Sequence, residues 1–373
     1  MNAEQMVSSR LLGSWAIAAA TVIALSLAPV ARADSEGRYR QHNLVSDGFV
    51  AADHTDPNLV NPWGIAFNPF GPVWIADNGS GLSTLYNGVG TPQALVVTIP
   101  PAAGAEGGNP TGVVFNGSSG FALTSDPASA AKFIFATEDG VIAAWNPAVD
   151  KTNAILVKDN SSTGAVYKGL ALSAGGNGSL LYATDFHNNK IDVWDSTFAA
   201  VTLPTGAFTD PTIPPGFAPF GIQAINGNIY VTYAKQDAAR HDDVKGMGLG
   251  YVNVFDPNGR LLERVASRGK LNAPWGIALA PAGFGEFRNT LLIGNFGDGH
   301  INAFDAATNE SYGQLKDVDG KTIAIDGLWG IAFGNGFLGQ SVNTLFFTAG
   351  SNDEADGLYG TLDAVPGHGQ GHD

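Results

Sequence analysis

Pro62-Trp63-Gly64-Ile65-Ala66-Phe67 decides the fold, because the chain says it again. The phrase returns as Pro110-Thr111-Gly112-Val113-Val114-Phe115 and Tyr167-Lys168-Gly169-Leu170-Ala171-Leu172. It then returns as Pro219-Phe220-Gly221-Ile222, Pro274-Trp275-Gly276-Ile277-Ala278-Leu279 and Leu328-Trp329-Gly330-Ile331-Ala332-Phe333. Counted at the residue before each glycine, the spacings are 48, 57, 52, 55 and 54. A fixed period near fifty residues is the mark of stacked or radial repeats. Two further strand-like runs follow each phrase. The second runs cover 73–77, 133–137, 180–185, 229–233, 291–295 and 344–348; the third cover 83–86, 141–145, 191–194, 251–255, 300–304 and 358–362. A fourth, less regular run closes most units, and Asn-Gly, Asp-Gly, Asn-Pro and Asp-Pro turns separate the runs. Six such units predict an all-β, six-bladed β-propeller of four-stranded antiparallel blades.

Closure leaves its own trace. Only three strands follow Trp329, while residues 39–45 form a spare strand before Trp63. Placed beside 358–362, that spare strand completes the last blade and removes free sheet edges. A pair of sandwiches would not keep equal spacing, and a solenoid would not need the spare strand. Within a phrase, alternation puts Trp63, Ile65 and Phe67 on one face and Gly64 and Ala66 on the other.

The units resemble NHL-type propeller repeats, most closely where Pro-Trp-Gly-Ile-Ala-Phe precedes Val73-Trp74-Ile75-Ala76-Asp77 and Ser83-Thr84-Leu85-Tyr86. The stretches Tyr39-Arg40-Gln41-His42-Asn43-Leu44-Val45-Ser46-Asp47 and Leu59-Val60-Asn61-Pro62-Trp63-Gly64 are similar to an uncharacterised family of secreted bacterial NHL-like propellers. The resemblance spans nearly all of residues 38–365. Some members of that family carry a C-terminal sorting helix, which this sequence lacks. The wider six-bladed class includes gluconolactonase-like calcium-dependent hydrolases and virginiamycin B lyase-like proteins. The resemblance implies a fold, since function lives in sites grafted on folds.

Composition narrows the chemistry. The chain has 373 residues, 44% of them hydrophobic and 14% charged, too apolar for a disordered chain. Its net charge of −15 argues against nucleic acid and against anionic lipid surfaces. Zero cysteines exclude disulfides, thiolate metal sites and a cysteine nucleophile. Residues 1–10 are polar, 11–30 are apolar, and Ala31-Arg32-Ala33 supplies a small-x-small cleavage pattern. The expected organisation is a signal peptide over 1–33 cleaved after Ala33, a propeller over 34–365, and a Gly/His tail over 366–373. The mature protein is expected to be a secreted or periplasmic monomer without a membrane span.

Chemistry in a propeller gathers at one mouth of the central channel. Two sets of residues are expected there. The first ends the second strands: Asp77, Glu138, Asp185, Tyr233, Asn295 and Gly350. Converging oxygens suit a hard cation such as Ca2+, or could shift one another's pKa for acid–base work. Asp and Asn at strand ends equally serve turn backbone. The second set is Trp63, Thr111, Lys168, Phe220, Trp275 and Trp329, either a stacking collar or a packed core. Lys168 stands out as a lone cation among aromatics. His54, His187 and His241 sit beside Asp on loops expected at the same mouth, so Asp77, Glu138, Asp185 and His187 are metal candidates. The longest break in the repeat, 235–250, is a charged lid or partner contact. No G-x-S-x-G, phosphate loop or H-E-x-x-H occurs. The expected function is a binding or scaffold propeller for a small molecule, glycan or protein. The alternatives are a Ca-type hydrolase or lyase, and a matrix component.

Overall fold

Each phrase becomes the innermost strand of a blade, because its bulky and small residues suit opposite neighbours. The computed structural model describes residues 37–175 and 178–365; the signal peptide expected over 1–33 and the tail expected over 366–373 lie outside the described residues. Blade 1 runs Pro62–Phe67, Val73–Asp77, Leu82–Tyr86 and Val97–Thr98. Blade 2 runs Pro110–Phe115, Phe133–Thr137, Val141–Trp145 and Ile155–Asp159. Blade 3 has Tyr167–Gly175, Gly178–Asp185 and Lys190–Trp194, with a single Trp194–Ala200 bridge where a fourth strand would stand. Blade 4 runs Phe217–Ile225, Asn228–Lys235, Gly250–Phe255 and Leu261–Ser267; blade 5 runs Pro274–Leu279, Thr290–Asn295, Ile301–Asp305 and Ser311–Gln314. Blade 6 runs Leu328–Phe333, Leu345–Ala349 and Leu358–Val365, and its fourth strand is Arg38–Ser46. The strands named above pair antiparallel with their neighbours, and in blade 6 the two-residue strand His54–Thr55 adds a parallel fifth strand outside Arg38–Ser46.

The opening strand therefore closes the ring, from Arg38 opposite Val365 to Ser46 opposite Leu358. Among the described residues the only helical elements are three three-residue 3-10 turns, and no helix is long and apolar enough to cross a membrane.

Two devices hold the blades together. The first is aromatic and aliphatic packing between neighbouring sheets, such as Trp74 of blade 1 stacked on Phe133 of blade 2 at 4.0 Å. Each buried side chain of this size contributes about 1.5–3 kcal/mol. The second is a ring of glycines. A Cβ on Gly169 would lie 2.9 Å from the Phe220 carbonyl oxygen, one on Gly276 2.6 Å from that of Trp329, and one on Gly330 2.6 Å from that of Trp63. Gly64 faces Thr111, Gly112 faces Leu170 and Gly221 faces Trp275 in the same way. Each glycine lets the next blade's innermost strand approach, and the sixth returns to the first.

Strict alternation does not survive in the innermost strands. The pairing skips between Pro62 and Ile65, Pro110 and Val113, Tyr167 and Gly169, Pro219 and Ile222, Pro274 and Gly276, and Leu328 and Ile331. An irregularity of this kind re-aims the side chains around it. Trp63 thus leaves the face of Ile65 and Phe67 and packs with Phe220, Trp275 and Trp329, while Ile65 and Phe67 pack beside Val73 and Ile75.

Candidate functional site

The end of the channel where the innermost strands begin is stoppered by rings. Trp63 stacks on Trp329 at 3.4 Å and 18°, and Phe296 stacks on Trp329 at 3.8 Å and 13°. Trp275 meets both tryptophans edge-on at 6.0 and 5.8 Å, and Phe220 and Phe186 complete the cluster. Below the stopper the channel holds a cavity of about 350 Å³, lined by Ile65, Val113, Ala171, Gln223, Ile277 and Ile331 among others. No titratable side chain lines it. The ionisable chemistry lies above the stopper.

There a continuous polar network begins at the rings. Trp329 Nε1 donates to Asn61 Oδ1 at 3.1 Å. Asn61 Nδ2 donates to Asn78 Oδ1 at 3.3 Å and to Glu354 Oε2 at 2.9 Å. Asn78 Nδ2 donates to Glu138 Oε2 at 2.8 Å. Lys168 Nζ donates to Glu138 Oε1 and, at 3.1 Å, to Asp242 Oδ1. His241 Nδ1 lies 3.0 Å from the same Asp242 oxygen. Asn61 adopts φ +45°, a conformation Asn tolerates better than most residues, and this turns its amide toward the rings.

Lys168 is 2% exposed and also lies over Trp63, 5.2 Å from the ring centroid. Burial alone would lower its pKa; Glu138 and Asp242 overturn that and hold it above the usual lysine value. The hydrogen bond from His241, with Lys168 beside it, holds Asp242 well below the usual carboxylate range, and Asp242 in turn raises His241. Burial raises Glu354. Asp243 is pushed up to about 7, first by burial, with Glu354 adding to it and Lys168 and Lys245 opposing.

The sign of the Asp243 effect is fixed by its direction. A carboxyl whose pKa rises on folding costs nothing below its ordinary value of 3.8, and its cost grows as pH climbs to about 7. Asp243→Asn is expected to raise Tm relative to the parent at pH 8 and leave it unchanged at pH 4; equal shifts at both pH values would refute the assignment.

The 235–250 loop builds one wall. Gln236 and Asp243 bridge within it, and Asp237 N donates to Asp242 O at 2.8 Å. Gly246 N donates to Asn272 Oδ1 at 2.6 Å, which anchors the far side. This folded hairpin delivers Asp242 to Lys168 and places Lys245 Nζ over the Phe296 ring, 4.3 Å from its centroid.

The residues expected at the mouth divide. Trp63, Phe220, Trp275 and Trp329 come together as its floor, with Lys168 and Glu138 above. Asp77 is fully buried inside blade 1, where Oδ2 accepts from Thr84 N at 2.9 Å and burial holds its pKa well above the usual range. Asp185 is spent on Val166 N, Asn188 N and Asn188 Nδ2. Asn295 Nδ2 donates to Lys270 O and Asp298 Oδ1, and Tyr233 is buried beneath Tyr251 and Phe217 in blade 4. Strand pairing explains the division. Asp77, Thr137, Asp185, Tyr233, Asn295 and Ala349 oppose equivalent residues of the innermost strands, so Glu138 and Gly350 sit one position later. One position flips the face. The position that reaches the mouth is Asn78, Glu138, Phe186 and Phe296. Among the described residues the only group of three ligand-bearing side chains is Glu138, His241 and Asp242, whose ligand atoms lie within 4.8 Å; His187 is not part of it.

No family model matches the chain. The uncharacterised protein R648 of Acanthamoeba polyphaga mimivirus is 36% identical over 328 residues, covering 86% of this chain and 78% of that one. The uncharacterised protein L690 of the same virus is 32% identical over 332 residues, covering 87% and 85%. Among solved structures, the PQQ-bound aldose sugar dehydrogenase of Streptomyces coelicolor superposes with a TM-score of 0.52 at 13% identity, over 89% of this chain and 99% of that one. That likeness is one of fold.

Proposed function

Because the chain belongs to the family of the uncharacterised mimivirus proteins R648 and L690, its function has to be argued from the mouth itself, and we propose that it is a binding propeller that takes its ligand there. The observation that carries this reading is the position of the Lys168 ammonium, between Glu138 and Asp242 and over Trp63. It turns the most acidic corner of the mouth into a satisfied, rigid wall beside an aromatic floor. Aromatic floors with a few placed polar groups are what small-ligand sites use. The same ammonium weighs against a Ca-type hydrolase or lyase. Glu138, His241 and Asp242 are grouped closely enough to hold a metal ion, but a metal there must displace a buried, doubly bonded cation. The leader at 1–33 supports a secreted or periplasmic monomer as the working form.

PQQ, the group bound by the sugar dehydrogenase, does not fit this mouth. It is an anionic quinone with three carboxylates. The mouth presents the carboxyls of Glu138, Asp139, Asp242, Asp243 and Glu354, and two of its ammoniums, Lys168 and Lys245, are already seated. No step is routed through it.

Thermal melting decides between binder and metalloenzyme. A ligand that binds only the folded state raises Tm by mass action. Calcium at a few millimolar, or a chelator, is expected to move Tm by less than about 1 °C, since the acidic group is already neutralised. A rise of several degrees with calcium, reversed by the chelator and accompanied by turnover of lactones or esters, would replace the binding reading with the hydrolase.

A further inference from the structure

We propose that the mouth is a site for an organic cation, and that Lys245 of the 235–250 loop is the chain's own occupant of the position that cation would take. This rests on the reading of the mouth as a ligand site and adds the ligand's charge and shape.

The floor is a three-ring stack of Trp63, Trp329 and Phe296, walled on one side by Trp275 edge-on. The face of an aromatic ring carries negative potential and attracts a cation within about 6 Å. Two ammoniums of the chain already use this floor: Lys168 at 5.2 Å from the Trp63 centroid and Lys245 at 4.3 Å from the Phe296 centroid. They differ in how they are held. Lys168 is buried between two carboxylates, whereas Lys245 is exposed on the loop and forms no ion pair among the described residues. Its ammonium rests on the ring near Asp243 and Glu354 with no ion-pair contact to hold it there, so a mobile cation can compete for the place.

The walls agree with that charge. Asp243 Oδ2 is buried and has no hydrogen-bond partner among the described residues, one residue from the bonded Asp242. Glu354 is turned toward the same space and held by Asn61. Trp63 is 2% exposed and its Nε1 is the one indole nitrogen of the three floor tryptophans without an acceptor. An anion would meet five carboxyls here. A neutral sugar could donate a hydroxyl to the unpaired Asp243 oxygen, but it would bring no charge to the ring face or to Glu354 beside it. A compact ammonium satisfies ring face and carboxyl together.

An occupant tethered to the protein acts as a competitor at high effective concentration. Removing it is therefore expected to tighten external binding. Tetramethylammonium, tert-butanol and trimethylacetate share a shape and differ in charge, so titrating each against tryptophan fluorescence and ligand-detected NMR separates charge from volume. The expected result is saturable binding of tetramethylammonium, roughly fivefold tighter in Lys245→Met and at least tenfold weaker in Phe296→Leu. Glu354→Gln is expected to weaken it by about threefold. The proposal is overturned if Lys245→Met binds tetramethylammonium no better than tert-butanol. If tert-butanol or trimethylacetate then saturates the mouth, the mouth remains a ligand site with the charge wrongly assigned. If none of the three binds either protein at up to about 50 mM, the mouth reading falls as well.

Discussion

Gly221→Ala is expected to cost the fold roughly 3 kcal/mol or more, because the added methyl has nowhere to go. Its Cβ would overlap the Trp275 carbonyl oxygen, with the Trp275 carbonyl carbon at 2.8 Å and Thr232 Oγ1 at 3.0 Å. Two of those three atoms are main chain of the next blade, so no rotamer change relieves the clash. The strand would have to move, and both Gly169 on one side and Gly276 on the other hold neighbouring strands at the same close approach. Gly221 N also accepts no slack, since it donates to Thr232 Oγ1 at 2.8 Å. Gly117→Ala is the control. That glycine is exposed and its nearest neighbour would be a Phe115 ring atom at 3.3 Å. Chemical denaturation of both variants checks the claim. A loss below about 0.5 kcal/mol for Gly221→Ala would mean that the blades are not in contact through their glycines.

The second large effect is expected at Lys168. Lys168→Met keeps the side-chain length and removes the charge. Glu138, whose side chain is 13% exposed, then faces the rings without its ammonium, whereas Asp242, at 66%, is rescued by water. Breaking a buried pair by removing one partner costs about 3–5 kcal/mol, mostly the penalty of the charge left behind. The double variant Lys168→Met/Glu138→Gln is expected to recover more than half of the loss. A double-mutant cycle by chemical denaturation at pH 7 measures this, and a coupling energy near zero would sink it. The pH dependence has a definite sign. The folded-state pKa of Lys168 is raised above 10.5, so its contribution is complete at neutral pH and fades only as pH rises above that value.

The fold was legible because it was written repeatedly. Six phrases and a spare strand at 39–45 announced six blades and the partner of the last one, and the strand Arg38–Ser46 lies where that spare strand was placed. The mouth was legible only in part. Trp63, Trp275, Trp329, Phe220 and Lys168 were visible because they occupy one position of the phrase. Asp77, Asp185 and Asn295 drew attention as charged or polar strand ends, yet they face the blade interior, since Glu138 belongs one position further on and alternation reverses the face. Asn61, Asn78, Phe296 and Glu354 carry no distinctive type, and only the shared position one past the strand pairing marks Asn78 and Phe296. Asp243 and Lys245 come from a loop outside the repeat, so no periodic signal could reach them; their roles depend on the hairpin that Gln236 and Asp243 make.

The closing strand also sets an order of events. Synthesis delivers Arg38–Ser46 before its partner Leu358–Val365, which follows roughly three hundred residues later. Until that partner emerges from the ribosome, the first segment has only the short parallel pairing of Val45–Ser46 with His54–Thr55, and its other edge waits unpaired. The ring therefore cannot close before Leu358–Val365 has been made, and any translation product that stops short of Leu358 leaves an open circle whose loose end is free to seek another polypeptide.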